Sequence, residues 1–287
     1  MIQYLVLLSC IGFLAFLISG RYRKYPGIVG WTFIVLALFA NLPEYFAENN
    51  FLYPVMAVLS IPFLLITIKY LLKDDQTVIS LTRAAAVAFL IYAPFEYIPA
   101  VGNWLISVVV DQVVAILNAF GYSVILTCID PASLHVLTPS ACSGLFKDTI
   151  TRNSLNVEII LACTGIQSIA IMLGVAAAVP TTVRQKVMAF ILVAPTIYIL
   201  NLFRNVFVIM AYTGQWFPYY PEIASNGEIG YESFFWAHNV IAELLALVLL
   251  IAIAFGLFRL IPKLADFADN LYRVYLGEVR AVFYKGT

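Results

Sequence analysis

Charged residues are scarce in this sequence, which excludes an ordinary soluble domain. Lys, Arg, Asp and Glu make up 11% of the 287 residues, and hydrophobic residues make up 63%. Soluble domains carry about 25% charged and about 45–50% apolar residues. The composition therefore predicts a polytopic membrane protein. The net charge of zero gives no indication of nucleic-acid binding, because in such a protein the division of charge between the two sides matters.

Several catalytic and metal-binding motifs are also absent. The four cysteines, Cys10, Cys128, Cys142 and Cys163, form no CxxC pair and no zinc-type spacing, so we expect no structural metal and no cofactor. The sequence contains neither G-x-S-x-G nor H-E-x-x-H, which argues against the common serine and zinc hydrolases. No repeat or flexible linker divides the chain, which predicts a single domain over residues 1–287.

Seven apolar segments predict transmembrane helices, each of which needs about 20 residues. They are residues 2–18, 28–46, 51–72, 84–101, 164–179, 187–211 and 234–258. The fifth is the shortest, but residues 159–163 can extend it. Residues 104–120 are interrupted by Asp111, Gln112 and Asn118, which favours an amphipathic surface helix. The predicted fold class is an all-α polytopic membrane protein with about seven transmembrane helices.

Basic residues predict the orientation in the cell membrane, because Lys and Arg accumulate on the cytoplasmic side. If the N terminus lies outside, only Lys147 and Arg152 of the 16 basic residues are external, and Arg204 remains in the membrane. This orientation predicts a small extracellular cap, about residues 102–162, whose β-branched runs indicate short strands. Residues 259–287 would form a cytoplasmic interfacial tail.

Three side chains with catalytic potential are predicted to lie at one depth in the membrane, just under its outer surface. With a rise of 1.5 Å per residue, Arg204 lies about 26 Å and Cys163 about 24 Å above the inner ends of their helices. His238 lies about 6 Å below the outer end of its helix, in a hydrocarbon core about 30 Å thick. The helical rise therefore predicts one depth for these three residues, which together are the candidate catalytic residues.

A thiol, an imidazole and a guanidinium at one depth indicate nucleophilic catalysis. Cys163 opens a helix whose dipole favours thiolate, His238 can move a proton, and Arg204 can stabilise an oxyanion. Each residue also has a structural alternative. Cys163 can be a small buried hydrophobe, and His238 a hydrogen-bonded helix end. Arg204 can lock helices by pairing with Glu243 or Glu158, or it can extend outward to the membrane interface. Substrate-binding or supporting candidates are Thr164, Gln167, Asn201, Asn205, Asn239 and Glu243.

Cys142 competes with Cys163 as the nucleophile, because Ser-Ala-Cys-Ser-Gly at residues 140–144 repeats the Ala-Cys-Ser/Thr-Gly pattern. No membrane helix follows Cys142, so Cys163 ranks higher. A disulfide between Cys142 and Cys128 is an alternative use outside the cell, worth about 3 kcal/mol for such a loop.

Three segments resemble the exosortase/archaeosortase family of membrane-embedded cysteine transpeptidases. They are Ile-Ile-Leu-Ala-Cys-Thr-Gly-Ile-Gln-Ser at 159–168, Asn-Leu-Phe-Arg-Asn at 201–205 and Phe-Trp-Ala-His-Asn at 235–239. The resemblance implies that Cys163 is the nucleophile of a sortase-like triad with Arg204 and His238. In some archaeosortases the third position is arginine.

The resemblance also implies the partners. Members of this family recognise a C-terminal signal on surface proteins, consisting of a short motif, a transmembrane helix and a basic cluster. In one branch the motif is Pro-Gly-Phe. A membrane phospholipid is the implied acceptor. Two alternatives stay open: a transporter or channel that uses Arg204, Glu243 and Asp111, and a plain intramembrane hydrolase.

Overall fold

A computed structural model describes residues 2–20, 22–47, 52–129, 136–138, 141–142, 146–225 and 230–284. Contacts divide the chain into two compact units. Unit 1 comprises Met1–Ala93, Ala170–Phe190 and Gly256–Thr287, and unit 2 comprises Pro94–Ile169 and Ile191–Phe255. The single domain over residues 1–287 stays a prediction.

The secondary structure is mainly helical, as the composition predicts. The helices are α1 (Ile2–Ile18), α2 (Lys24–Ala40), α3 (Leu42–Ala47), α4 (Leu52–Leu72), α5 (Gln76–Tyr97), α6 (Pro99–Ala119), α7 (Ile166–Ala177), α8 (Val183–Thr213), α9 (Pro221–Ala224), α10 (Tyr231–Phe234), α11 (Glu243–Leu260) and α12 (Lys263–Tyr284). A 3₁₀ turn covers Leu161–Thr164, and a π-helix, Phe235–Ala242, joins α10 to α11.

Five helical stretches among the described residues are long and apolar enough to cross a membrane. They are Pro54–Leu72, Gln76–Tyr97, Pro99–Ala119, Val183–Thr213 and Tyr231–Leu260. Helices α1, α2 and α7 are apolar but shorter. The polytopic membrane class is confirmed in this coarse form, whereas the number of seven spans and the external N terminus stay predictions.

Helix α6 differs most from the sequence-based expectation. The fourth span was expected to reach residue 101, but α5 ends at Tyr97 and a new helix begins at Pro99. Proline has no N–H group and keeps the preceding residue out of the helical region, and Ile98 is indeed extended. Although a surface helix was favoured here, α6 is one of the five candidate spans. One of its faces is buried in unit 2, through Val109, Val110, Val113 and Leu117.

Helix α7 is shorter than predicted. A helix over residues 164–179 that could begin at 159 was expected, but residues 161–164 form the 3₁₀ turn and α7 begins at Ile166. The break is at Gly165, whose φ of 79° is left-handed and cannot continue a right-handed helix. The 12 residues of α7 cover about 18 Å, which is less than the thickness of the hydrocarbon core.

The short strands expected in the cap are present in unit 2. Strands β1 (Ile125–Thr127), β2 (Thr149–Arg152) and β3 (Leu155–Glu158) form an antiparallel sheet in the order β1-β2-β3. A two-residue turn joins β2 to β3, with positive φ at Asn153 and Ser154 as a type I′ hairpin requires. The Asn153 side chain donates to the Thr213 carbonyl, 3.0 Å away, at the end of α8.

The core of unit 2 packs the sheet against helices α6 and α8. Ile150 of β2 and Ile159, just after β3, are buried with the apolar face of α6 and with Leu202, Val206 and Ile209 of α8. The chain that leaves this core at Ile159 therefore enters the 3₁₀ turn directly beside α8.

A disulfide joins Cys128 to Cys142, 14 residues apart, in unit 2. We expect Cys142→Ala to lower the free energy of unfolding by about 3 kcal/mol, because the unfolded chain loses the constraint of this loop. Thermal unfolding in detergent micelles measures the effect, and reductant should lower the midpoint of the wild type but not that of the variant. Cys10→Ala removes a free thiol and is the control. Equal stability of Cys142→Ala and wild type would contradict this prediction.

The predicted tail is helix α12 in unit 1, and it packs on α4. The Tyr275 hydroxyl hydrogen-bonds with the Thr67 hydroxyl at 2.8 Å, and its ring stacks on Phe63. Lys69 forms an ion pair with Glu278 at 2.6 Å. The helix is therefore docked by specific contacts, and its place at the inner leaflet stays a prediction.

Candidate active site

Cys163 lies in the 3₁₀ turn between the sheet and α7. Its backbone N–H donates to the Ile160 carbonyl at 2.9 Å, and the buried Thr164 hydroxyl donates to the Leu161 carbonyl at 2.7 Å. Cys163 was expected to open the helix, but α7 begins three residues later. Because helix-dipole effects fall off within one turn, the dipole of α7 contributes less to this thiol than expected.

Gly165 allows α8 to approach the cysteine turn. A Cβ atom at this position would lie 3.3 Å from both Cβ and Cγ of Asn201 and 3.5 Å from Ile197 Cγ2. The left-handed φ of 79° also disfavours any residue with a Cβ atom. Both the backbone conformation and the available space therefore favour glycine.

We expect Gly165→Ala to destabilise the protein by about 1–2 kcal/mol, the cost of a left-handed residue with a Cβ atom, and to displace Asn201. The thermal midpoint and the rate of substrate processing measure the two effects. Gly277→Ala is the matched control, since an added Cβ atom there meets nothing within 4 Å. A Gly165→Ala protein with unchanged midpoint and rate would refute this expectation.

Two asparagines of α8 bind the main chain of Cys163. The Nδ2 atoms of Asn201 and Asn205 donate to the Cys163 carbonyl oxygen at 2.5 and 2.8 Å. Residues four apart lie on the same face of a helix, so both amides reach one oxygen. These two predicted supporting residues fix the backbone of Cys163 against the helix that carries Arg204.

Arg204 lies on the same part of α8 and contacts two further predicted residues. Its Nη2 atom donates to Glu243 Oε1 at 2.7 Å and lies 3.3 Å from His238 Nε2. The arginine side chain is 16% exposed and that of Glu243 is 58% exposed. The ion pair with Glu243 expected from the structural alternative therefore forms, and the same guanidinium also reaches the predicted catalytic imidazole.

His238 occupies the π-helix, an irregularity often found at functional sites. Its Nδ1 atom lies 2.7 Å from Asn239 Oδ1, and its ring stacks on Phe234 at a centroid distance of 4.9 Å. The amide oxygen of Asn239 can only accept and the guanidinium can only donate. These partners assign the proton to Nδ1 and leave Nε2 to accept from Arg204. His238 is therefore in the neutral tautomer that is protonated at Nδ1.

The structure joins these residues in two groups. Arg204 bonds to His238, and the Cys163 main chain bonds to the asparagines beside Arg204. Within the described residues, Cys163 Sγ makes no hydrogen bond to Arg204 or His238. Gln167 is exposed on α7, and the Thr164 hydroxyl is engaged within the turn. Sequence analysis predicts one depth for Cys163, Arg204 and His238 but does not give these contacts.

The Cys163 thiol lies outside the candidate membrane spans and has a perturbed pKa. Burial raises its pKa above the ordinary value, and the negative charges of Glu158 and Glu243 raise it further, whereas the positive charge of Arg204 lowers it. The thiol is therefore protonated at neutral pH in this state, and Arg204 is the charged group that favours thiolate.

A family pattern described as transmembrane exosortase matches residues 3–219 of this sequence. The chain belongs to the transmembrane exosortase family. The matched range contains Cys163 and Arg204 and ends before His238.

Curated relatives extend this similarity over most of the chain. Archaeosortase A of Natronomonas pharaonis is 28% identical over 259 residues, which cover 88% of this chain and 80% of the relative. Archaeosortase A of Haloferax volcanii is 24% identical over 278 residues, which cover 91% and 89%. No solved structure matches the chain significantly. The resemblance to the exosortase/archaeosortase family is confirmed, and both of these relatives are archaeosortase A proteins.

This exosortase-family protein also has a groove in unit 2 that the sequence analysis missed. Its volume is about 360 Å³, and it lies between α8 and α11 with Arg204 and Asn201 in its wall. Two small residues four apart line it, Ala242 at the end of the π-helix and Ala246 on α11. That spacing puts both small side chains on one face of the helix. This pattern was the signal in the sequence that could have predicted a groove.

Proposed function

We propose that this protein is a membrane-embedded cysteine transpeptidase. It cleaves the C-terminal sorting signal of surface proteins through a thioester on Cys163 and transfers them to a membrane phospholipid. The observation that carries the proposal is that α8 bonds to the Cys163 main chain through two amides while its Arg204 bonds to His238. The two archaeosortases support it, because sorting is the activity that their names state.

The first half of the reaction forms the thioester. The Cys163 thiol transfers its proton to His238 Nε2, and sulfur attacks the scissile carbonyl carbon. Arg204 stabilises the oxyanion, since a fixed, always-charged donor favours the charge that develops there. As the C–N bond breaks, His238 returns the proton to the leaving amine, which departs with the transmembrane part of the signal.

The resting contacts suppress this chemistry until substrate binds. Arg204 donates to His238 Nε2, so the imidazole lone pair is occupied. Burial also keeps the thiol protonated. When a substrate oxyanion takes the guanidinium donor, Nε2 becomes free to accept the thiol proton. Substrate binding therefore activates the base and the oxyanion site together.

Two features support an active site at the extracellular face. Only Lys147, Arg152 and Arg204 of the 16 basic residues fall within the ranges of unit 2, which contains the site, and basic residues accumulate on the cytoplasmic side. Unit 2 also contains the Cys128–Cys142 disulfide, and disulfides persist in oxidising compartments.

Trapping the thioester tests the proposal. The Cys10→Ala protein, whose remaining free thiol is Cys163, is reconstituted with a surface protein that carries the C-terminal signal. After acid quenching, mass spectrometry should find the truncated substrate on Cys163, and hydroxylamine should release it. Cleavage without any adduct would overturn the covalent mechanism. An adduct that yields only the free acid in the presence of lipid would favour the hydrolase alternative.

A further inference from the structure

The His238 ring is held from three directions, by residues of α10, the π-helix and α8. Phe234 of α10 stacks on the face of the ring with an interplanar angle of 11°. Asn239 Oδ1, in the π-helix, lies 2.7 Å from Nδ1, and Arg204 Nη2 of α8 lies 3.3 Å from Nε2. These three contacts restrict different motions of the ring, so each can have a separate role in catalysis.

Stacking on Phe234 fixes the plane of the imidazole ring but not the positions of its nitrogen atoms. The torsion about the Cβ–Cγ bond of a histidine is roughly two-fold, and a half-turn about it keeps the ring in the same plane. That half-turn would present the Cδ2 and Cε1 carbons to Asn239 and Arg204 in place of the nitrogens. Both hydrogen bonds would be lost, so these two polar contacts determine which way the ring faces.

The contact between Arg204 and Nε2 cannot last through the reaction proposed above. In that reaction the guanidinium donates to the substrate oxyanion, and Nε2 accepts the thiol proton. Once Nε2 carries the proton it is no longer an acceptor, and both partners are then positively charged. Arg204 therefore restrains the ring only while His238 is neutral.

The contact between Asn239 and Nδ1 can last, because Nδ1 keeps its proton in both states of His238. The nitrogen is protonated in the neutral tautomer assigned above and also in the imidazolium. The amide oxygen accepts that proton in either state. Because the amide is uncharged, it does not favour the imidazolium as a carboxylate would, so His238 can stay neutral beside Arg204 at rest.

We infer that Asn239 is a positioning residue that acts through His238 and restrains the ring while the proton is moved. This inference rests on the proposed function. As the Cys163 S–H bond breaks and the Nε2–H bond forms, Asn239 Oδ1 continues to accept from Nδ1. When the C–N bond of the substrate breaks, the Nε2 proton passes to the leaving amine, and His238 returns to the tautomer protonated at Nδ1. Asn239 thus selects Nε2 as the atom that carries the proton in both directions.

The tautomer of His238 is measured directly by ¹⁵N NMR of the full chain in detergent micelles, since protonated and unprotonated ring nitrogens differ in chemical shift. The chain has two histidines, so His135→Gln leaves His238 as the reporter. Arg204→Met with Glu243→Met removes the two charged groups that act on His238 among the described residues. Replacing both partners of the ion pair leaves neither charge unpaired. This background reproduces a ring without its Arg204 contact.

In this background Nδ1 should remain protonated, because Asn239 still accepts from it. Adding Asn239→Leu removes the acceptor and should lower the fraction protonated at Nδ1 at least about twofold, as the proton redistributes between the two nitrogens. Asn239→Asp keeps an acceptor oxygen at the same reach, so Nδ1 should stay protonated. A residue that only stabilised the fold would change the thermal midpoint and not the tautomer.

Turnover measures the consequence in the protein with Arg204 and Glu243 intact. Asn239→Leu should slow thioester formation in a single turnover at least about tenfold, as part of the about 10²–10⁴-fold that positioned proton transfer contributes. Asn270→Leu makes the same exchange at an exposed position of α12, outside the site, and is the matched control. It should form the thioester at the wild-type rate.

An unchanged fraction protonated at Nδ1 in Asn239→Leu would overturn the positioning role, even if that variant were less stable or less active. An equal loss of Nδ1 protonation in Asn239→Leu and Asn239→Asp would also overturn it, because the effect would then come from packing and not from the acceptor. So would a wild-type rate of thioester formation in Asn239→Leu. If the wild type forms no thioester, the proposed function fails, and the NMR experiment still decides whether Asn239 sets the tautomer of His238.

Discussion

Replacing Cys163 with alanine is expected to reduce substrate processing by at least about 10³-fold, because loss of the nucleophile in a cysteine or serine mechanism removes the covalent route. The protein should still fold, since Sγ makes no hydrogen bond to Arg204 or His238. The Cys163 carbonyl, which Asn201 and Asn205 bind, is retained in the variant. Processing is followed in the host as loss of the C-terminal helix from a surface-layer protein.

The other cysteines provide the controls. Cys10→Ala removes the second free thiol and should leave processing unchanged. Cys142→Ala removes the disulfide partner of Cys128 and should lower stability while the nucleophile remains. If processing continues in a Cys163→Ala protein that accumulates normally, the transpeptidase proposal falls and the transporter alternative gains weight.

Arg204→Gln is expected to reduce processing by about 10²–10³-fold, the usual effect of removing one oxyanion donor. Arg204→Lys keeps the charge but replaces a planar set of five donors with a single ammonium group, so most of the loss should remain. The comparison separates charge from geometry. Rates for both variants are measured with the same sorting substrate as the wild type.

Thiol alkylation provides a readout that a loss of folding would not reproduce. Burial places the Cys163 pKa above its ordinary value, so in the Cys10→Ala background the iodoacetamide rate should keep rising with pH beyond about 8.5. The Arg204 charge lowers this pKa. Arg204→Gln should therefore shift the profile to higher pH, whereas Arg204→Lys should leave it near that of the wild type.

Opposite results would reassign Arg204. If Arg204→Lys processes substrate at the wild-type rate, the residue acts as a charge or as a helix-locking partner of Glu243, not as a directional donor. If Arg204→Gln leaves the alkylation profile unchanged, its charge does not act on the Cys163 thiol.

The sequence by itself determined the membrane class and the candidate site residues. A composition with few charges cannot form a soluble surface, and the helical rise alone predicts one depth for Cys163, Arg204 and His238. Asn201 and Asn205 could be chosen from the sequence because they lie at i−3 and i+1 from Arg204. They are therefore four residues apart and share one helix face. These inferences use only composition and a fixed period, which need no knowledge of tertiary contacts.

Only the tertiary structure decided the helix breaks and the contacts. Gly165 ends the cysteine turn in a left-handed conformation beside Asn201, and Pro99 starts a helix that the hydropathy pattern divided differently. The bond from Arg204 to His238 and the groove along α11 depend on how helices 34 or more residues apart in sequence pack together. Sequence periodicity defines the faces of a helix, but side-chain packing between helices determines which faces meet.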